Sequence, residues 1–174
     1  MPCSASPYRS ARAVLAEVII RPAIPDDVPA LRAITAAAYL PYLSRIGRAP
    51  APVSSDYAAA VERGEVWVAA ADEGTGLSGE LVGLIVLVRA PDYLLLENVA
   101  VLPAAQARGV GSRLLEFAES QAAELGLPEI RLYTNVAMTE NLVYYPRRGY
   151  VETHRREEDG YRRVYFCKPV RHTG

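Results

Sequence analysis

The chain has 174 residues, of which 51% are apolar, and this is enough for one domain with an ordinary hydrophobic core. Its 19 Lys and Arg residues are balanced by 20 Asp and Glu residues, so the net charge gives no general reason to bind nucleic acid or an anionic membrane. We therefore expect a small-molecule or peptide partner.

The cysteines and the N-terminus set the expected compartment. Cys3 and Cys167 lie near opposite ends of the chain, and neither belongs to a CxxC or Cys/His pair, so we expect no disulfide, no metal site and a cytoplasmic location. No apolar run approaches the roughly 20 residues of a membrane span. Residues 1–16 contain two arginines and no acid; we expect a flexible lead-in, with a transit segment as the alternative, before a single domain over residues 17–174.

Hydrophobic periodicity and turn residues predict the elements of the N-terminal half. Two helices are predicted, the first after Pro25 and the second from Ser54 to about Arg63, and the proline-containing stretch 41–52 is predicted to be a loop between them. The predicted strands occupy residues 17–21, 65–71 and 80–89, and the last two form a hairpin around a turn at 72–79.

The C-terminal half continues with a strand, a helix, a strand, a helix and a hairpin. The predicted strands occupy residues 93–101, 129–134, 150–157 and 162–168, and the predicted helices run from Val110 to about 125 and from Thr139 to about Arg147. This order predicts a mixed sheet flanked by helices.

The most informative segment leads from the strand at 99–103 through a glycine-bearing loop into an amphipathic helix. Free N–H groups in the first turn and the helix dipole form an anion site, and the absent Cβ atoms of Gly109 and Gly111 allow phosphate oxygens to approach the backbone. Arg108 adds a side-chain donor. The structural alternative is that these glycines only make a tight turn.

Two other phosphate motifs fit this segment poorly. A dinucleotide-binding fingerprint would need a third Gly or Ala where Leu114 stands, and a Walker A loop would need Gly-Lys-Ser or Gly-Lys-Thr. Both nucleotide-binding interpretations are therefore set aside.

The spacing Gln106-x-x-Gly109-x-Gly111, after the strand at 98–101, resembles the acyl-CoA-binding motif of the GNAT acetyltransferases. A second segment, from Asn141 through Tyr145 to Gly149 and Tyr150, resembles the family pattern Asn-x-x-x-Tyr-x-x-x-Gly-Phe/Tyr. The resemblance extends over about residues 17–169, and its detailed motifs cover mainly 93–153.

The resemblance implies an α/β (α+β) fold with a mixed, mostly antiparallel sheet of about seven strands and about four flanking helices. It implies acetyl-CoA as the acyl donor, an amine of a small molecule or peptide as the acceptor, direct attack of the amine in a ternary complex, and no metal. Members commonly splay two neighbouring strands near Val101. The implied cofactor contacts are Val99, Ala100, Val101, Gln106, Ala107, Arg108, Gly109, Val110, Gly111, Ser112, Asn141 and Tyr145.

Two residues are the candidates for proton transfer. Tyr145 occupies the family position whose hydroxyl often protonates the departing thiolate, while the adjacent Tyr144 points about 100° away on a helix. Glu97 lies on the strand that leads into the cofactor motif, where related enzymes place a carboxylate that accepts the amine proton. The structural alternatives are core aromatics for the tyrosines and a solvent-facing strand residue for Glu97.

The candidate acceptor pocket lies between the first two helices. Its candidate residues are Tyr39, Tyr42, Arg45 and Arg48, whose aromatic walls and cationic ends would suit a carboxylate-bearing amine. The alternative is a structural loop with solvated arginines. For the whole chain, the alternative to an enzyme is a non-catalytic acyl-CoA sensor. Dimerisation is common in the family, but no feature of the sequence identifies an interface.

Overall fold

The computed structural model describes residues 18–71 and 79–171. The strands are β1 (Val18–Pro22), β2 (Val66–Ala71), β3 (Leu81–Arg89), β4 (Leu94–Val101), β5 (Glu129–Asn135), β6 (Val151–Glu158) and β7 (Tyr161–Pro169). The α-helices are α1 (Val28–Tyr39), α2 (Leu43–Ile46), α3 (Tyr57–Glu62), α4 (Val110–Glu124) and α5 (Thr139–Tyr144). The lead-in predicted over 1–16 and all but the last residue of the turn predicted over 72–79 lie outside the described residues.

The strands form one sheet in the order β1-β2-β3-β4-β5-β7-β6. Every neighbouring pair is antiparallel except β4 and β5, which run parallel and pair only over Leu94–Leu96 and Ile130–Leu132. Beyond these three residues the two strands separate. The sheet therefore opens between the C-terminal halves of β4 and β5, at the position where the family resemblance implies a splay.

Helices cover both faces of the sheet, and this explains the nearly continuous apolar sequence of β3. Leu84 and Val86 pack on one face with α1 and α3, whereas Ile85 and Leu87 pack on the other face with α4. Successive side chains of a strand point to opposite faces, so a single strand supplies both cores.

The predicted fold is confirmed: the sheet has seven strands, and four helices of at least six residues flank it, with α2 as an additional single turn. The helix predicted to reach Arg147 instead ends at Tyr144, and a 3-10 turn follows over Pro146–Arg148. Proline supplies no backbone N–H to continue the helix, which explains this earlier end. No helix within the described ranges is long and apolar enough to cross a membrane.

Candidate active site

The separation of β4 from β5 opens a cavity of about 680 Å³. One wall is formed by β4 and the loop that follows it, and the opposite wall by β5 and α5. A third side is closed by the end of α1 and by residues 40–52. We call residues 40–52 the strap. A single opening in the sheet thus brings together residues as far apart in the chain as Ala38 and Arg163.

The glycine-bearing loop enters this cavity at the N-terminus of α4. Gly109 precedes the helix in the left-handed conformation with φ of 85°, and Ala107 also has a positive φ, 61°, which is uncommon for a residue with a Cβ atom. The Gln106 side chain closes the loop by donating from Nε2 to the carbonyl of Val101 at 3.0 Å. The first N–H groups of α4, which have no acceptor within the helix, begin beside the cavity wall.

Gly111 lies where α4, α5 and β4 approach one another. A Cβ atom at this position would lie 3.1 Å from the Tyr144 hydroxyl oxygen and 4.0 Å from Cγ2 of Val101. The missing side chain keeps the helix end open toward the cavity. These residues fit a pyrophosphate-bearing group, because backbone donors and a positive helix end meet there without a Cβ atom to obstruct approach.

Two arginines add positive charge at the same end. Arg108 and Arg148 both line the cavity, and neither forms a salt bridge within the described part of the chain. The Arg148 guanidinium lies 4.4 Å from the centre of the Tyr144 ring, and its Nε is buried without a hydrogen-bond partner among the described residues. A buried donor left without an acceptor costs free energy, so this atom also fits an anionic ligand.

Glu97 immediately follows Leu96, the last β4 residue that pairs with β5. Its side chain lines the cavity and forms no salt bridge within residues 18–71 and 79–171. Glu97 is exposed to the open cavity, yet partial desolvation there raises its pKa above the usual value, the neighbouring carboxylate of Glu65 raises it further, and Arg63 partly opposes both. A carboxylate with a raised pKa is a stronger base than an ordinary Glu.

The two adjacent tyrosines have different environments. Tyr145 is only 6% exposed, and its ring packs edge-on against Tyr144 and Tyr150 at centroid separations of 5.5 Å and 5.6 Å. Burial raises the pKa of the Tyr145 phenol well above its usual value, which keeps the hydroxyl protonated at neutral pH. Tyr144 is half-buried and its hydroxyl lies against Gly111. Both rings line the cavity.

Asn141 lies one helical turn before Tyr145 and also lines the cavity. Its Nδ2 donates to Oγ1 of Thr134 at 2.9 Å, and this bond links α5 to β5. The amide oxygen is the remaining polar atom of this side chain.

A buried hydrogen-bond network supports the part of the cavity wall where α1 and the strap meet β4. Tyr39 donates to Oδ1 of Asn98 at 2.8 Å, and Nδ2 of Asn98 donates to the Tyr57 hydroxyl at 3.1 Å. Tyr57 donates its own proton to the carbonyl of Pro52 at 3.0 Å, so Thr35, 2.8 Å away, acts as a donor to Tyr57. The network fixes Tyr39 and the end of the strap to β4.

Arg45 and Arg48 tie the strap to the rest of the molecule and lie outside the cavity lining. Arg45 donates to the two carboxylate oxygens of Glu140 at 2.7 Å and 2.9 Å. Arg48 stacks on Tyr161 at 4.0 Å and donates to the carbonyl of Asp159 at 3.1 Å. The aromatic members of the predicted pocket, Tyr39 and Tyr42, do line the cavity.

A different arginine reaches the cavity from β7. The Arg163 side chain is 12% exposed, stacks 4.4 Å from the centre of the Tyr133 ring and donates from Nη1 to Glu158 at 2.6 Å. Sequence reasoning missed Arg163, Tyr133 and the cavity-lining Tyr161, because residues of separate strands meet only through the sheet order. Asn98 was weakly indicated by the sequence, because it is a polar residue within a mostly apolar strand.

The predicted cofactor residues converge with one exception. Val110 is 1% exposed, and its side chain packs in the core, so only its backbone, in the first turn of α4, is available on the cavity side. The remaining predicted contacts line the cavity: Val99, Ala100, Val101, Gln106, Ala107, Arg108, Gly109, Gly111, Ser112, Asn141 and Tyr145.

Comparison with known proteins gives a family match and several structural neighbours. Residues 62–152, more than half of the chain, match the family model described as an acetyltransferase (GNAT) domain. The chain has 18% identity and a TM-score of 0.71 to a PaiA N-acetyltransferase from Thermoplasma acidophilum solved in complex with coenzyme A, covering 88% of this chain and 99% of that one.

Two further neighbours give the same result at the level of the fold. A GNAT-family acetyltransferase from Listeria monocytogenes is 20% identical with a TM-score of 0.67, covering 89% of this chain and 96% of that one. Nourseothricin acetyltransferase is 23% identical with a TM-score of 0.54; the match covers 61% of this chain and 65% of that protein. No curated protein sequence matches the chain.

Proposed function

The chain belongs to the GNAT acetyltransferase family and is an acyltransferase, and we propose that it transfers an acetyl group from acetyl-CoA directly to an amine of a small molecule or peptide. The observation that carries this proposal is the shared cavity, which joins a glycine-bearing helix N-terminus, an unpaired carboxylate and a buried tyrosine. Coenzyme A in the Thermoplasma acidophilum neighbour supports the choice of cofactor.

The cofactor-binding half uses backbone groups more than side chains. The N–H groups at the start of α4, from Val110 to Ser112, bind the pyrophosphate, and Arg108 and Arg148 add charge-assisted donors. The free edge of β4 beyond Leu96 supplies N–H and C=O groups for the pantetheine arm, because β5 no longer pairs with it there. When bound, acetyl-CoA supplies a thioester whose acetyl carbon accepts the amine.

Glu97 removes the proton that the amine carries at neutral pH. A primary amine has a pKa near 10, so it needs a base before it becomes nucleophilic. Glu97 fits this role because it lines the cavity, forms no salt bridge among the described residues and has a raised pKa. The carboxylate accepts the proton directly or through one water molecule.

Tyr145 supplies a proton to the leaving group. Tyr145 lines the cavity and remains protonated, so its hydroxyl donates to the departing thiolate. The second proton, which the nitrogen loses as the amide forms, restores the Tyr145 hydroxyl directly or through water. The packing of its ring against Tyr150 and Phe166 holds the donor in one orientation. Transfer occurs within one ternary complex, and no acetylated side chain is required.

A pH profile of amine-dependent thiol release tests the assignment of Glu97. The wild type should show an acidic limb at a pH above the ordinary Glu value of about 4.3, because the Glu97 pKa is raised. Glu97→Gln should lower the rate by about a hundredfold or more and remove that limb. Glu116→Gln, an exposed substitution on α4, is the matched control. An unchanged acidic limb in Glu97→Gln would reject this base.

A further inference from the structure

We call the side of the cavity where the amine would bind the acceptor side. There, one carboxylate and one guanidinium remain available to a ligand. Glu97 forms no salt bridge among the described residues. Arg163 lines the cavity, and within the described part of the chain it donates through Nη1 alone, to Glu158. Because a guanidinium has five N–H donors, Arg163 retains donors that can bind a further acceptor.

Glu158, the carboxylate that pairs with Arg163, also binds Arg156 and Tyr165. Oε2 of Glu158 accepts from Arg163 at 2.6 Å, and Oε1 accepts from Arg156 at 2.7 Å. The Tyr165 hydroxyl also donates to Glu158. Two guanidinium groups thus share one carboxylate, and of these two Arg163 is the one that lines the cavity.

The remaining charged side chain of this region that lines the cavity is already paired. Glu140 accepts two hydrogen bonds from Arg45, so this pair contributes no net charge. Arg48 is occupied by the ring of Tyr161 and the carbonyl of Asp159. Arg163 is therefore the guanidinium of the acceptor side that both lines the cavity and retains donors within the described residues.

Tyr133 lines the cavity together with the available carboxylate and this guanidinium. It follows the last β5 residue paired with β4, as Glu97 does on β4, and Arg163 stacks on its ring. Glu97 and Arg163 therefore line the same cavity close to Tyr133: Glu97 holds the corresponding position on β4, and Arg163 stacks on the tyrosine ring. An acceptor with an ammonium group and a carboxylate would match both charges at once.

We propose that the acceptor is a small amine that carries a carboxylate, and that Arg163 is the residue that binds this carboxylate. This inference rests on the proposed acetyl transfer to an amine at Glu97. It retains the expected chemical class of acceptor but assigns its recognition to a part-buried strand residue, in place of Arg45 and Arg48 on the strap. Arg163 suits this role because its planar fork is held rigidly by stacking and by Glu158.

Calorimetric titration of the full chain saturated with coenzyme A tests the inference. The ligands are matched pairs that differ only in the carboxylate: lysine with cadaverine, and tyrosine with tyramine. In the wild type, at least one carboxylate-bearing member should bind about tenfold or more tighter than its partner. Arg163→Gln should reduce that ratio to near one, whereas Arg162→Gln, at the exposed neighbouring position of β7, should preserve it.

Three results would overturn the inference: equal or tighter binding of the decarboxylated members, survival of the preference in Arg163→Gln, or absence of binding by all four ligands. Far-ultraviolet circular dichroism and the melting temperature verify that both variants are folded, and Arg163→Lys, which keeps the charge, should retain part of the preference. Failure of the proposed function would be seen separately, as absence of acetyl-CoA binding by the same wild-type protein.

Discussion

Replacement of Gly111 by alanine separates the contribution of this residue to cofactor binding from its contribution to the fold. The new Cβ atom would lie 3.1 Å from the Tyr144 hydroxyl, so this hydroxyl must move by a few tenths of an ångström. Alanine favours helix over glycine by up to about 1 kcal/mol, which offsets this crowding. We therefore expect the free energy of unfolding to change by less than about 1 kcal/mol.

Cofactor binding should respond much more strongly to the same substitution. The methyl group occupies the space that lets a phosphate oxygen approach the first N–H groups of α4, so Gly111→Ala should weaken acetyl-CoA binding by about tenfold or more, equivalent to about 1.4 kcal/mol. Isothermal calorimetry measures the dissociation constant, and urea unfolding measures the stability. Ser120→Ala, at an exposed position of the same helix, is the control and should change neither quantity substantially.

A double variant distinguishes the two effects of the methyl group. Tyr144→Phe removes the hydroxyl that the new Cβ atom would meet, so Gly111→Ala with Tyr144→Phe should relieve the crowding without restoring acetyl-CoA affinity. Wild-type affinity in a folded Gly111→Ala variant would refute the placement of the pyrophosphate at this helix end. Restored affinity in the double variant would show that Tyr144, and not the backbone approach, is responsible for the loss.

Three further predictions follow from other contacts. Tyr145→Phe should lower kcat for thiol release by about a hundredfold or more, measured at saturating acetyl-CoA, and an effect confined to KM would contradict its role as the proton donor. Asn98→Leu leaves the Tyr39 hydroxyl without its acceptor, so it should lower the free energy of unfolding by about 1–3 kcal/mol and raise KM for the amine, with calorimetric acetyl-CoA affinity unchanged. Asp27→Asn should lower the free energy of unfolding by about 1–2 kcal/mol at pH 7. The hydrogen bonds from Arg21 lower the pKa of Asp27, so the charged form of Asp27 stabilises the fold. This contribution is present above the unfolded pKa of about 4 and is lost as the pH falls through the lower folded pKa, so urea unfolding of the two proteins should converge in acid, and a constant difference would contradict it.

The position of the glycine-bearing loop at the cavity was predictable because its signal is local in sequence. Gly109 and Gly111 lie in one short loop, and the step from strand to helix determines where their N–H groups point. Asn141 and Tyr145 were predictable for the same reason, since one helical turn separates them. The exact end of α5 was not predicted, although Pro146 already indicated that the helix could not continue unchanged.

The acceptor half depends on contacts between distant segments, which no local pattern specifies. Arg45 and Arg48 were predicted to line the pocket from the composition of their loop, but the partners that bind them, Glu140 and Asp159, are about a hundred residues away. In the sequence, Arg163 is an ordinary strand residue. Its contact with Tyr133 arises because β5 pairs with β7. Its burial follows from the sheet order and not from its neighbours in sequence.

The central claim is direct transfer of acetyl from acetyl-CoA to an amine, and a product balance tests it most directly. Purified protein is incubated with acetyl-CoA in the presence and absence of an amine, and released thiol, N-acetylated amine and the mass of the intact protein are measured together by mass spectrometry. We predict equal amounts of thiol and N-acetylated amine, release that depends on the amine, and a protein mass that does not change. Thiol release without an acetylated amine, or an acetylated protein that forms before the amine is added, would contradict the account.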